Sequence, residues 1–199
     1  AFGWGALEAG AYREDTRHSM QFGEDKQYWY GPQDGQPGPI CYMGPGCYAA
    51  GMPMDTDASN DGASLKANIT LSNRGVLRIG AEIQRYDLDD YWLPSGGMMG
   101  PNTFWNIRDG ERDRAAAYAE WEAAWNPRWL TQVGLRFEQV DMDTGDVQSY
   151  SPMFSQSDAN AFNAADHKRR DDNLDATALA RFTPSATQTF EFGLAQKTR

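Results

Sequence analysis

His18-Ser19-Met20, Cys41, Met43 and Met52-Pro53-Met54 bring an imidazole, a thiol and several thioethers into the first part of the chain. In extended chain, residues two apart point the same way, so His18 and Met20 can face one site. Cys41 with Met43, and Met52 with Met54, repeat that spacing. Thioether, thiolate and imidazole together suit copper, above all Cu(I). Two other outcomes stand beside that chemistry. Methionine in a long loop often packs the loop against itself. Cys41 and Cys47 of an exported protein more often form a disulfide than bind metal. A second group is aromatic: Tyr91-Trp92 and Trp105, with Tyr28, Trp29, Tyr30 and Phe104. Such rings either line a vestibule for a bulky ligand or pack loops and interfaces.

No other chemistry competes. The chain holds no G-x-S-x-G, Walker loop, H-E-x-x-H or C-x-x-C, so it is not read as an enzyme. Asp15, His18 and Ser19 are neighbours in sequence, but a triad is defined by geometry. His167, beside Lys168-Arg169-Arg170, reads as solvated. Asp55-Thr56-Asp57 and Asp141-Met142-Asp143-Thr144-Gly145-Asp146 resemble fragments of calcium loops without the full spacing. The formal net charge is -10 with no basic cluster, which argues against nucleic acid.

The elements that must position these residues show one repeated design. Ala63, Leu65, Ala67, Ile69 and Leu71 alternate with polar residues, and Leu77, Ile79, Ala81 and Ile83 do so after Ser72-Asn73-Arg74-Gly75. A period of two gives each strand one apolar and one wet face, and Asn and Gly suit the hairpin turn between them. Further strands are expected over about 3–16, 113–125, 129–138, 174–182 and 190–197. Between them lie loops over about 24–62, 87–112 and 141–172, and short turns at 72–75, 126–128 and 183–186. Glu82, Glu120, Glu122, Arg136, Glu138 and Arg181 read as the wall of a hydrated lumen.

Mean hydropathy is -0.70, and no apolar run reaches the roughly 18–20 residues of a transmembrane helix. A transmembrane β-barrel keeps such an average because lipid-facing and lumen-facing residues alternate. Short turns at one end and long loops at the other fit that class. Trp125 and Trp129 flank one turn, and Phe182 and Phe190 another, as an aromatic girdle would. A soluble antiparallel sandwich also alternates, but its wet face rarely carries charge at nearly every second site. The expectation is all-β: about seven antiparallel strands of a larger barrel.

Specific runs sharpen this. They include Arg85-Tyr86-Asp87-Leu88-Asp89-Asp90-Tyr91-Trp92, Pro101-Asn102-Thr103-Phe104-Trp105-Asn106-Ile107-Arg108-Asp109-Gly110-Glu111-Arg112, Asn126-Pro127-Arg128-Trp129, Leu179-Ala180-Arg181-Phe182-Thr183-Pro184 and Phe190-Glu191-Phe192-Gly193-Leu194-Ala195-Gln196-Lys197-Thr198-Arg199. Together they resemble the barrel of a TonB-dependent outer-membrane receptor. The resemblance implies a 22-stranded, plugged barrel in the bacterial outer membrane. Residues 1–199 would form part of it, without the plug domain and remaining strands. It also implies energised uptake through the TonB complex, with outer-membrane lipid and a metal or metal chelate as the other partners. His18 and Met20 resemble the His-x-Met of the copper-receptor branch. Copper as cargo is the first expectation, with no resident cofactor. A ferric siderophore held by Tyr91, Trp92 and Trp105 is the second, and a passive porin-like barrel the third.

Overall fold

The computed structural model describes residues 3–20, 29–30, 40–41, 48–49, 54–72, 74–94, 102–152 and 155–198. The strands in chain order are β1 (Gly5–Met20), β2 (Trp29–Tyr30), β3 (Ile40–Cys41), β4 (Tyr48–Ala49), β5 (Met54–Ser72), β6 (Gly75–Trp92), β7 (Phe104–Asn126), β8 (Trp129–Asp143), β9 (Arg169–Ser185) and β10 (Gln188–Gln196). One helix, α1 (Gln156–Asn163), lies between β8 and β9. Seven strands form a single antiparallel sheet in the order β1-β5-β6-β7-β8-β9-β10, and β3-β2-β4 form a separate small one.

The register keeps each apolar stripe on one face. Leu7 opposes Ala67, Ala67 opposes Ile79, Ile79 opposes Ala119, Ala119 opposes Leu135 and Leu135 opposes Ala176. That face is bare. Ile83, Leu135 and Leu194 are 62%, 58% and 81% exposed. Among the described residues, the buried apolar side chains are only Ala116, Ala123, Tyr150 and Ala159. A second protein layer would bury this stripe, as in a sandwich. Here one layer carries continuous grease on one side, the form expected of a sheet whose outer solvent is hydrocarbon.

The short-turn end is aromatic. Trp121 meets Trp125 edge-on at 5.8 Å, and Trp129 stacks on Phe182 at 4.5 Å. The Trp125 Nε1–H donates to Thr131 Oγ1 at 2.8 Å. Asn126 Oδ1 closes its turn by accepting the N–H groups of Arg128 and Trp129 at 2.9 and 3.1 Å. Rings with one polar atom satisfied suit a membrane–water boundary.

Strand ends depart from the sequence expectation. The segment 54–62 belongs to β5, not to a loop; β6 continues to Trp92, β7 begins at Phe104, and β9 begins at Arg169. The last turn lies after Ser185, so Thr183-Pro184-Ser185 are still strand. The cause is visible along one rung. Arg13 opposes Asp61, Asp61 opposes Arg85, Arg85 opposes Asp113, Asp113 opposes Asp141 and Asp141 opposes Arg170. These sites continue the apolar face. Beyond this rung both faces are wet, so alternation vanishes while the backbone ladder continues. Asp55-Thr56-Asp57 and Asp141 to Asp143 are therefore strand, without the turning backbone of a calcium loop.

On the opposite face, rings replace missing side chains. A Cβ added to Gly62 would lie 2.4 Å from two ring carbons of Tyr12, and one on Gly80 would lie 2.6 Å from the ring of Tyr118. Each aromatic ring lies flat across a glycine on the neighbouring strand.

Candidate functional site: the outer rim of the wet face

The wet face is held by charge at mid-strand. Arg78 pairs with Glu120 at 2.7 Å and Glu122 at 3.1 Å. Arg114 reaches Glu82 at 3.2 Å and Glu138 at 3.5 Å, and Arg136 pairs with Glu138 at 3.0 Å and also with Glu82. The Glu82, Arg114, Arg136 and Glu138 side chains close a four-membered ring of ion pairs over β6, β7 and β8. Arg181 pairs with Glu191 at 2.5 Å. Charges paired in this way form a hydrated wall.

Above that wall lies the rim. Met20 pairs with Met54, and Met54 with Trp92, which opposes Phe104. One step inward along the strands, His18 opposes Thr56, and Thr56 opposes Asp90. Directly paired residues of an antiparallel ladder share a face, as do residues two apart. His18, Met20, Met54 and Trp92 thus share the wet face, with His18 exposed and the other three half-buried. Thr56 Oγ1–H donates to Asp90 Oδ1 at 2.9 Å, and Asn106 Nδ2–H donates to Asp90 Oδ2 at 2.8 Å. Asp90 is thereby fixed beside the imidazole's rung. Phe104 adds its ring to Tyr150 at 5.2 Å.

The aromatic group expected as one site is divided. Tyr91 and Trp92 are consecutive in β6 and take opposite faces. Trp105 goes with Tyr91: their ring centroids lie 4.8 Å apart, and Arg108 Cζ sits 5.3 Å from the Trp105 centroid. Tyr91 O–H donates to Asp57 Oδ2 at 3.3 Å, on the face that carries the lipid stripe lower down. Trp92 alone of the three looks into the rim. Period-two counting from Ile83 finds this split, because Tyr91 is an even number of residues away and Trp92 an odd number.

Cys41 lies in β3, where it opposes Trp29. Met43, Met52 and Cys47 lie outside the described residues. The described residues contain no group of three or more His, Cys, Asp or Glu able to hold a metal.

The described part of the third loop is folded, which sequence reasoning missed. Its first part extends the sheet along the outer end of β7. Gly145 N–H donates to Arg108 O at 2.7 Å, and Gln148 and Trp105 exchange backbone bonds of 3.3 and 2.9 Å. The Asn163 side chain grips Val147 with two bonds of 2.8 Å, one accepted and one donated. Ser149 is buried, with its Oγ 2.8 Å from Gln156 Oε1. His167 is not simply solvated. Its Nδ1 lies 2.9 Å from Thr144 O and its Nε2 2.8 Å from Phe162 O, with the ring stacked on Phe162 at 4.5 Å.

Comparison with known proteins agrees with this architecture. Residues 2–193 match the family model described as TonB dependent receptor-like, beta-barrel. No curated protein matches the chain.

Proposed function

The chain belongs to the TonB-dependent receptor β-barrel family, and we propose that it carries a soft metal ion, first of all copper, through the bacterial outer membrane. Barrels of this family reside in that membrane and are transporters, not enzymes. Energised uptake is what the family implies, with the TonB complex as partner. Residues 1–199 are read as part of the barrel wall. The bare apolar face meets lipid, and the ion-paired face meets the conduit or the domain that fills it.

One observation carries the choice of cargo. Met54 directly opposes Met20, with His18 on the same face one step inward. Two thioethers and an imidazole at the rim of a lumen match the preference of Cu(I) for soft donors. Cys41, Met43 and Met52 are proposed as further ligands from the intervening segment, on ligand chemistry alone. Copper in this reading is cargo, not a resident cofactor.

The reading is tested by titrating the intact receptor with Cu(I), Cu(II), Zn(II) and a ferric siderophore, with His18→Ala/Met20→Ala alongside. Copper-selective binding lost in the double variant supports it. Unchanged copper binding removes these residues as ligands. Siderophore binding without copper binding moves the cargo to the aromatic alternative, in which Trp92, Phe104 and Tyr150 line the same rim.

A further inference from the structure

We propose that His167 is a proton-operated latch that holds the third outer loop shut against the strand β7 rim. The geometry demands a charged ring. Both ring nitrogens face backbone carbonyl oxygens, Thr144 O at 2.9 Å and Phe162 O at 2.8 Å. A carbonyl only accepts, so both contacts are hydrogen bonds only when both nitrogens carry protons. The neutral imidazole sets one lone pair against one carbonyl and loses that bond.

The two carbonyls belong to different parts of the loop. Thr144 follows the end of β8 and donates its Oγ1–H to Arg108 O of β7 at 3.1 Å. Phe162 lies in the last turn of α1. The imidazolium therefore ties the helix C-terminus to the strand end, where a cation also complements the helix dipole. Phe162, beneath the His167 ring, is also a wall of a cavity of about 380 Å³ with Phe104, Trp105, Val147 and Asp158. Releasing His167 would therefore loosen one wall of this open cavity.

The charged groups on the surrounding elements are Asp143 at the end of β8, Asp146 after it, Asp158 on α1, Asp166 and Lys168 beside the ring, and Arg108 and Asp109 on β7. Lys168 is engaged by Asp143 at 3.6 Å, and Arg108 by Asp109 at 3.8 Å. The local balance is acidic. The bond to Phe162 is the largest influence and raises the His167 pKa above its usual value; desolvation, next in size, opposes it, and the bond to Thr144 with Asp146 and Asp143 nearby restores the rise. A raised folded value fixes the sign. The latch contributes fully below the ordinary histidine range, and its contribution is lost as pH rises through the raised value. This inference does not depend on which cargo the receptor carries.

The test is hydrogen exchange of residues 144–152 and 155–166 in the full receptor in lipid nanodiscs, at pH 5.5 and pH 8.5, corrected for intrinsic rates. Strand β7 serves as the internal control for folding. Wild-type loop protection is expected to be roughly threefold or more greater at the lower pH. In His167→Gln, whose side chain has no proton to gain or lose over this range, loop protection is expected to be the same at both values while β7 stays protected. A wild-type loop with no pH difference overturns the latch. So does a pH difference that persists in His167→Gln. A histidine resonance titrating at or below the ordinary value overturns it as well.

Discussion

Met54 stands directly opposite Met20 across the β1–β5 ladder, although a long Gly- and Pro-rich segment separates them in sequence. The pairing places two thioethers on the face that carries His18, the donor set proposed above for copper. Replacing either Met20 or Met54 by Ala is expected to weaken Cu(I) binding by roughly tenfold or more, on the scale of a lost ligand or its support. Met142→Ala is the control, since Met142 opposes Arg112 and Arg169, away from the rim. Competition titration against a Cu(I) chelator measures the effect. Equal losses at all three positions would mean that copper binds methionine nonspecifically.

Gly62→Val is expected to destabilise the barrel by about 1–3 kcal/mol, because the new side chain meets the Tyr12 ring and must displace it. Tyr12→Ala should cost stability alone yet relieve much of the Gly62→Val penalty. A double-mutant cycle of unfolding in lipid gives the coupling. Additive costs would show that ring and glycine do not interlock.

Ile79→Arg places a charge in the middle of the apolar stripe and is expected to cost about 2–4 kcal/mol, the range for a cation at the bilayer midplane. Asp87→Arg, on the same face above the charged rung, should change folding by much less. Refolding into vesicles distinguishes the two. Similar costs at both sites would remove lipid as the partner of that face.

Glu82→Gln should cost about 1–2 kcal/mol. It leaves Arg136 with Glu138 alone and weakens the hold on Arg114. The side chains of this ring are 22–33% exposed, which places the effect between exposed and buried ion pairs. Glu82→Gln with Arg136→Met should lose less than the two single costs together. Strict additivity would show that the ring does not act as a unit.

How much of this was legible depends on the solvent each residue meets. Between Leu65 and Ile83 one face meets lipid and the other water, so composition alternates and the hairpin is plain in the sequence. From Met54 to Asp61 both faces are wet, nothing alternates, and the ladder alone makes the strand. The same holds for Phe104 to Arg112. Helix α1 was hidden for another reason. It spans eight residues, begins at Ser155 with a left-handed backbone and no side-chain cap, and buries only Ala159. Met20 and Met54 were legible as soft donors, but their meeting was not, because register across a long connection is set by strand pairing. Tyr91 and Trp92 were read together as neighbours although period two already separates them.

Strand β7 has 23 residues, while crossing the hydrocarbon takes about 9–11 in a tilted strand. From the charged rung at Asp113 to its outer end at Phe104, at 3.2–3.4 Å per residue and a tilt near 40°, the strand rises roughly 20 Å beyond the apolar stripe. The rim residues at that end therefore meet water, well clear of the hydrocarbon that the apolar stripe is built for.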